Sequence, residues 1–229
     1  MRNELKNNLI KPDLVVRSKR KTIAIIVGED GKLEVRAPQR MTDRQIMEFV
    51  KSKSNWILKR KAMIQAGPPP HAYEEGEQFF YLGELFTLRH VTKQRKVVQL
   101  CGDSISIRKA DIRDAADKIE GWYRKEARAY LTQRLDGYAN QYGFEYNTLR
   151  INGARTRWGS CNSQKKSLNF TWRLLMAPPE IVDYVVVHEL CHLRHANHSS
   201  AFWAEVEQIM PDFKPRRKWL KKNGSKLRM

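Results

Sequence analysis

Four of the six histidines, His188, His192, His195 and His198, fall within one short stretch, and their spacing restricts how the chain can run there. The first pair forms His188-Glu189-Leu190-Cys191-His192, an H-E-x-x-H pattern. Residues four apart lie one turn apart on the same helix face, so both imidazoles can reach one metal ion. The preceding residues supply the helix that this requires. Pro178-Pro179 suits a helical first turn, and Ile181, Val182, Val185 and Val186 form an apolar stripe.

Imidazole nitrogen is a preferred zinc ligand, and a catalytic zinc typically takes three protein ligands plus one water. Glu189, beside the first ligand but off the metal, is placed to accept a proton from that water, whose pKa a bound metal lowers. The third ligand must come from outside the helix line. His198 lies six residues beyond His192, past the expected helix end, with Asn197 available for the turn, so the spacing favours it. His195 is the competitor, because a continued helix would put it on the face of His188 and His192; otherwise it is a residue around the site. The plainer alternative is four surface histidines on an ordinary helix. A third histidine at a set offset makes that coincidence improbable.

Other residues are read more weakly. The helical angle of Cys191 points it away from the histidine face, toward packing. Cys161 ends the turn-like segment Arg155-Thr-Arg-Trp-Gly-Ser-Cys161, and two cysteine ligands would make the site closed and structural. Arg155, Arg157 and Arg173 are candidates to hold an anionic substrate or an oxyanion, against the reading that they are surface charges. Tyr184, one turn before His188, reads first as packing. Trp158, Trp172 and Trp203 read as core.

The rest of the chain reads as α+β, with a β-rich N-terminal region over residues 1–110 and a catalytic region over 111–229. Thr22–Val27 and Leu33–Ala37 flank the turn Gly28-Glu-Asp-Gly31 as a hairpin. Thr42-Asp-Arg-Gln45 is a capping box for a helix running to about Ala66, and Gly67-Pro-Pro-Pro70 ends it. Strands are expected at Phe79–Leu88, Val97–Leu100 and Ser104–Arg108, then a long amphipathic helix from Ala115 to Tyr142. Strand-like segments follow at Thr148–Asn152 and Ser167–Leu175. After the histidine helix, one more is capped by Ser199 or Ser200, and a last short one lies near Arg216–Leu220.

Lys and Arg number 43 against 25 Asp and Glu, a net charge of +18. Such a field attracts polyanions, so nucleic acid, nucleotides or an acidic protein are all plausible partners, though charge alone names no site. No apolar run is long enough to span a membrane, and the first residues carry no export pattern. Three widely spaced cysteines argue against a disulfide framework, so the expectation is a cytoplasmic, reduced protein.

Several runs together resemble the YgjP-like metallopeptidase-domain family: Arg157-Trp-Gly-Ser-Cys161, Leu168-Asn-Phe-Thr-Trp-Arg173, Ala177-Pro-Pro179, Val187-His-Glu-Leu-Cys-His-Leu193, and Asn197-His-Ser199 with Phe202-Trp203. That family looks related to the SprT and WLM zinc peptidases, which share the H-E-x-x-H-x5-H spacing. The resemblance implies His188, His192 and His198 as Zn2+ ligands, Glu189 as catalytic base, and a zincin-like helix with a mixed-sheet region. Where metzincins have a glycine in this turn, the chain has His195. Proteins resembling this one are described both as metallopeptidases and as nucleoside-triphosphate pyrophosphatases acting on UTP. The substrate expected is therefore a peptide or protein, with a nucleotide as the alternative and a zinc-stabilised nucleic-acid-binding module as a third reading.

Overall fold

The structure is a computed structural model describing residues 10–28, 30–65, 71–227 and 229. The loop expected at Gly67–Pro70 and the reading of the first nine residues fall outside them. The described chain is α+β, with six helices and three small sheets, and it divides into compact units of residues 1–69 and 70–229.

In the first unit β1 (Leu14–Ser18), β2 (Ala24–Val27) and β3 (Leu33–Pro38) form a sheet of order β1-β3-β2. β3 is parallel to β1 and antiparallel to β2, so the hairpin read from the sequence is present, while β1 is an element the sequence did not suggest. Alternation along β3 buries Leu33, Val35 and Ala37 in one small core with Ile46, Val50 and Ile57 of the helices. α1 (Asp43–Ser52) starts with the expected capping box, in which Thr42 Oγ1 accepts from Gln45 N–H and Gln45 Oε1 accepts from Thr42 N–H.

The single helix expected from Thr42 onward is broken at Lys53, and α2 (Ser54–Gln65) begins beyond it. Ser52 and Ser54 hydroxyls donate to the carbonyls of Phe49 and Lys51, the local bonding by which serine competes with a continuous helix. Trp56 and Leu58, expected along the apolar run, are exposed, and Ile57 is the buried residue among the three.

The second unit holds everything that positions the histidines. β4 (Gln78–Tyr81), β5 (Glu84–Val91), β6 (Val98–Cys101) and β7 (Ser104–Arg108) form a sheet of order β4-β5-β7-β6. The run Phe79–Leu88, expected as one strand, is a hairpin turning at Leu82-Gly83. Both residues have positive φ (48° and 87°), as a two-residue turn of the type that matches strand twist requires.

A 3-10 turn at Lys109–Asp114 leads into α3 (Ala115–Tyr142), which matches its expected bounds and stops at Gly143 in the left-handed region. β8 (Thr148–Asn152), β9 (Gly159–Asn162) and β10 (Ser167–Thr171) form a sheet of order β8-β10-β9. The strand expected over Ser167–Leu175 therefore ends at Thr171, and Trp172–Met176 is a 3-10 turn. The segment read as turn-like, Arg155–Cys161, is irregular through Trp158 and becomes the edge strand β9 only from Gly159. α4 (Pro179–Cys191), α5 (Ser200–Ile209) and α6 (Phe213–Asn223) complete the unit. The last is longer than the Arg216–Leu220 expected.

Side chains from β4–β7, α3, β10 and α4–α6 share one core, in which Ile107, Ile119, Tyr123, Leu131, Phe170, Trp172, Val186 and Phe202 are fully buried. α3 is clamped to α4 by Arg134, whose Nε donates to Asp183 Oδ1 at 2.6 Å, with a second bond in parallel. Asp183 is buried, so this planar two-bond pairing satisfies a charge that burial would otherwise penalise. No helix among the described residues is long and apolar enough to cross a membrane.

The Leu82-Gly83 turn also docks on the start of α4. Leu82 N–H donates to Leu175 O at 2.7 Å, and a Cβ on Gly83 would stand 2.9 Å from Pro178. Gly102 has positive φ too, but open space around it. Gly83→Ala is therefore expected to cost about 1–3 kcal/mol more than Gly102→Ala in urea unfolding, because only the former adds overpacking to backbone strain. Equal costs would contradict the docking.

Candidate metal centre

α4 is buried almost all round: Ile181, Val182, Val185, Val186, Val187 and Leu190 are core residues, and the helix carries His188 and Glu189 in its last turn. A helix apolar on every face belongs inside a domain, which fixes its rotation and hence the direction of its polar residues. His192 is its C-cap, still in helical conformation at φ −66° and ψ −15°. The chain then closes tightly, with the N–H groups of Arg194 and His195 both donating to Cys191 O.

The return loop is held from outside. Arg194 donates to Tyr142 O and Gly143 O at 2.9 and 2.8 Å, satisfying carbonyls at the end of α3, and its guanidinium lies over Phe144. Glu205 of α5 ion-pairs with Arg194 and stands 3.1 Å from His195 Nε2. Ser199 then caps α5 by accepting from Phe202 N–H, which brings His198 back over the helix.

The three imidazoles converge. Nitrogens of His188, His192 and His198 all lie within 4.8 Å of one another, and His188 Nε2 is 3.1 Å from His198 Nε2. Two nitrogens at ~2.0–2.1 Å from one tetrahedral zinc stand about 3.3 Å apart, close to the His188–His198 separation. Phe202, fully buried, faces all three rings at 4.6–5.0 Å between centroids and forms the floor of the site. Trp203 stacks on His198 at 5.5 Å and 19°.

His192 Nδ1 lies 2.9 Å from His195 O, which fixes the tautomer so that Nε2 keeps its lone pair. His195 thus serves the site through its carbonyl, and its ring faces Glu205. His188 Nδ1 is buried with no hydrogen-bond partner among the described residues. Burial first, then the charges of His192, His198 and Arg217, push the His188 pKa down to about 3; burial and the charges of His192 and Arg217 lower that of His198. Neutral imidazoles with available lone pairs are what a metal ion needs.

Glu189 is 5% exposed, and burial raises its carboxyl to about 8 against the opposing charge of Arg157. It lies against the backbone of β9: a Cβ on Gly159 would stand 2.6 Å from the Glu189 side chain. Tyr184 is buried one turn back, 5.9 Å from the His188 ring.

Among the expected arginines, Arg157 is exposed and its charge reaches Glu189. Arg173 is buried, donates to Gly153 O at 3.1 Å and stacks over Trp172, so it braces the loop after β8. Arg155 is exposed in that loop. Cys191 is fully buried and Cys161 half-buried; burial raises their thiols to about 12 and about 11, with the charge of Glu205 and of Glu189 adding respectively. Neither cysteine belongs to the nitrogen cluster. Of the tryptophans read as core, Trp172 is fully buried, while Trp158 and Trp203 are half-buried at its margin. Gly159 and Arg217 were not singled out from the sequence. A glycine inside a strand signals close backbone approach, but β9 itself was unread. Arg217 carried no signal.

An α+β unit presenting three convergent histidines beside a buried carboxylate defines a candidate metallohydrolase centre. The chain belongs to the YgjP-like family: the profile described as YgjP-like, metallopeptidase domain, matches residues 21–223. Among solved structures it is similar to the metallopeptidase zymogen of Pyrococcus abyssi abylysin, at 23% identity and a TM-score of 0.37, over 40% of this chain and 93% of that one. No curated protein matches. The family implies a divalent metal.

The buried carboxyl gives the metal-free protein a pH signature. Its folded pKa lies above the ordinary 4.5, so folding takes up a proton, and the stability this contributes is lost as pH rises from about 4.5 through about 8. In chelator, the stability advantage of Glu189→Gln over wild type should grow across that window by on the order of a few kcal/mol and level off above it. A difference independent of pH would contradict the burial of an ionisable group there.

Proposed function

We propose that the chain is a zinc metallopeptidase in which His188, His192 and His198 hold the metal and Glu189 is the general base. The observation that carries this reading is the convergence of three imidazole nitrogens next to a carboxylate buried against a strand. When bound, zinc would polarise the scissile carbonyl and acidify a coordinated water.

Glu189 accepts the proton of the attacking water and later passes it to the leaving amine nitrogen. Burial favours the protonated form of the group and the charge of Arg157 the ionised one, opposing influences that suit a carboxyl which must both take and give a proton. Phe202 excludes water from beneath the rings, and the carbonyl of His195 keeps the His192 ring oriented.

β9 supports a peptide as substrate. It is an edge strand, bonded to β10 on one side only, and Thr171 N–H donates to Trp158 O at its entrance. In the antiparallel pattern this turns the backbone N–H and C=O groups of Gly159 and Cys161 toward the open edge. An extended peptide adding there would run past Glu189. Nucleotide pyrophosphate hydrolysis calls for cations around the scissile phosphates; Arg173 is turned inward to Gly153 O, whereas Arg157 and Arg217 stay exposed near the site, so the peptide reading rests on the strand edge. A structural zinc would call for a fourth protein ligand, and among the described residues the cluster has three.

Glu189→Gln is expected to retain one zinc per chain and lose roughly 10²–10⁴-fold in cleavage of unfolded protein substrates; full activity would remove the general-base role. His198→Ala should lose the metal under dialysis that His195→Ala survives, and the reverse would exchange their roles. A wild-type protein that splits UTP into UMP and pyrophosphate while leaving peptides intact would overturn the substrate class.

A further inference from the structure

Arg217 lies in α6 directly after Arg216, which donates to Glu180 O at 2.9 Å and so ties that helix to the start of α4. Its guanidinium lies over Trp203, 4.6 Å from the ring centroid. Trp203 is the ring that stacks on His198 and stands 5.8 Å from His188. One indole thus separates this cation from the histidine cluster. Its charge is felt at His188, at His198 and at Tyr184, where it opposes the upward push of burial.

Placing a cation beside a site built for another cation is unfavourable unless an anion comes between them. No described acidic residue supplies it. Lys214 pairs with Glu207 at 2.8 Å and Arg216 with Asp212, whereas Arg217 has no ion pair among the described residues. Arg217 is exposed and, with Trp203, Ser200, Phe213, Lys214 and Glu207, lines a cleft of about 410 Å³. The cleft is apolar on its aromatic walls and positive at Arg217. Lys214 and Glu207 offset one another there, which leaves Arg217 to meet an anionic group, and its guanidinium offers a carboxylate two parallel donors.

We propose that Arg217 is a substrate-recognition residue, holding a carboxylate of a peptide substrate in the cleft beside the histidine cluster. The inference rests on the metallopeptidase reading and names the kind of peptide that site would prefer. The carboxylate is either that of an interior acidic residue or that of the peptide's C-terminus.

The test is binding to zinc-loaded Glu189→Gln protein, which separates recognition from turnover. Fluorescent Ala/Gly octapeptides carrying one Glu or one Gln, scanned through each position, are compared by anisotropy, each with a free or an amidated C-terminus. At one position, Glu should bind on the order of ten-fold tighter than Gln, or a free C-terminus than an amide, and the preference should shrink as salt is raised. Arg217→Gln should abolish the preference and Arg217→Lys should keep part of it, with zinc content and unfolding midpoint followed for each variant. Equal binding of all pairs by the parent protein, absence of binding by any peptide, or a preference unchanged in Arg217→Gln would each overturn the assignment. Cleavage by the wild type is scored separately. Peptides cut without regard to charge would sink Arg217 alone, and no peptide cut by a protein that discriminates Glu from Gln would sink the peptidase reading alone.

Discussion

Helix α4 has no solvent face to spare, and this burial sets the terms for everything around the histidines. Its valines, isoleucine and leucine are held by α3, the 3-10 turn after β10, α5 and α6, so the helix can neither rotate nor slide without opening the core. The polar groups of its last turn inherit that rigidity. His188 and Glu189 are adjacent in sequence and diverge by about 100° around the axis, one toward the other imidazoles and the other against β9. Burial also sets their chemistry. It keeps the imidazole neutral and pulls the carboxyl toward neutral pH, and both shifts suit a hydrolytic metal site.

The second constraint is the return of the chain after His192. A single loop must bring His198 back over the helix end, and the structure fastens it at both ends. Arg194 uses the unpaired carbonyls at the C-terminus of α3, Glu205 gathers Arg194 and His195, and Ser199 caps the next helix. α5 then inserts Phe202 beneath the rings and Trp203 beside them. The 28-residue helix α3 matters to the site through its end as well as through the Arg134–Asp183 clamp.

Much of this was legible from the chain because the signals were local. The capping box at Thr42, the limits of α3 and its glycine stop, the proline start of α4 and the spacing of His188, His192 and His198 all depend on neighbours within a turn or two. What was not legible depends on distant partners. The hairpin at Leu82-Gly83 was hidden inside an unbroken β-like run, although its glycine has a turn role. β9 is four residues of Gly, Ser, Cys and Asn, so it shows no apolar alternation; only pairing with β10 makes it a strand. The importance of Gly159 follows from Glu189 lying against it, thirty residues away in sequence. Arg217 sits in a basic helix where no local pattern separates it from Lys214 or Lys218. Conversely, Arg173 resembled an anion-binding residue in sequence but is buried beneath the loop that it supports.

The central claim is that three imidazoles, and no thiolate, hold one zinc with a position left for water. X-ray absorption at the zinc edge on stoichiometrically loaded protein reads this directly. The account predicts about one zinc per chain with a shell of nitrogen and oxygen scatterers near ~2.0–2.1 Å and no sulfur. A sulfur shell near ~2.3 Å would place Cys161 or Cys191 on the metal and make the site structural, and failure to load stoichiometric metal would leave the histidine cluster without its chemistry.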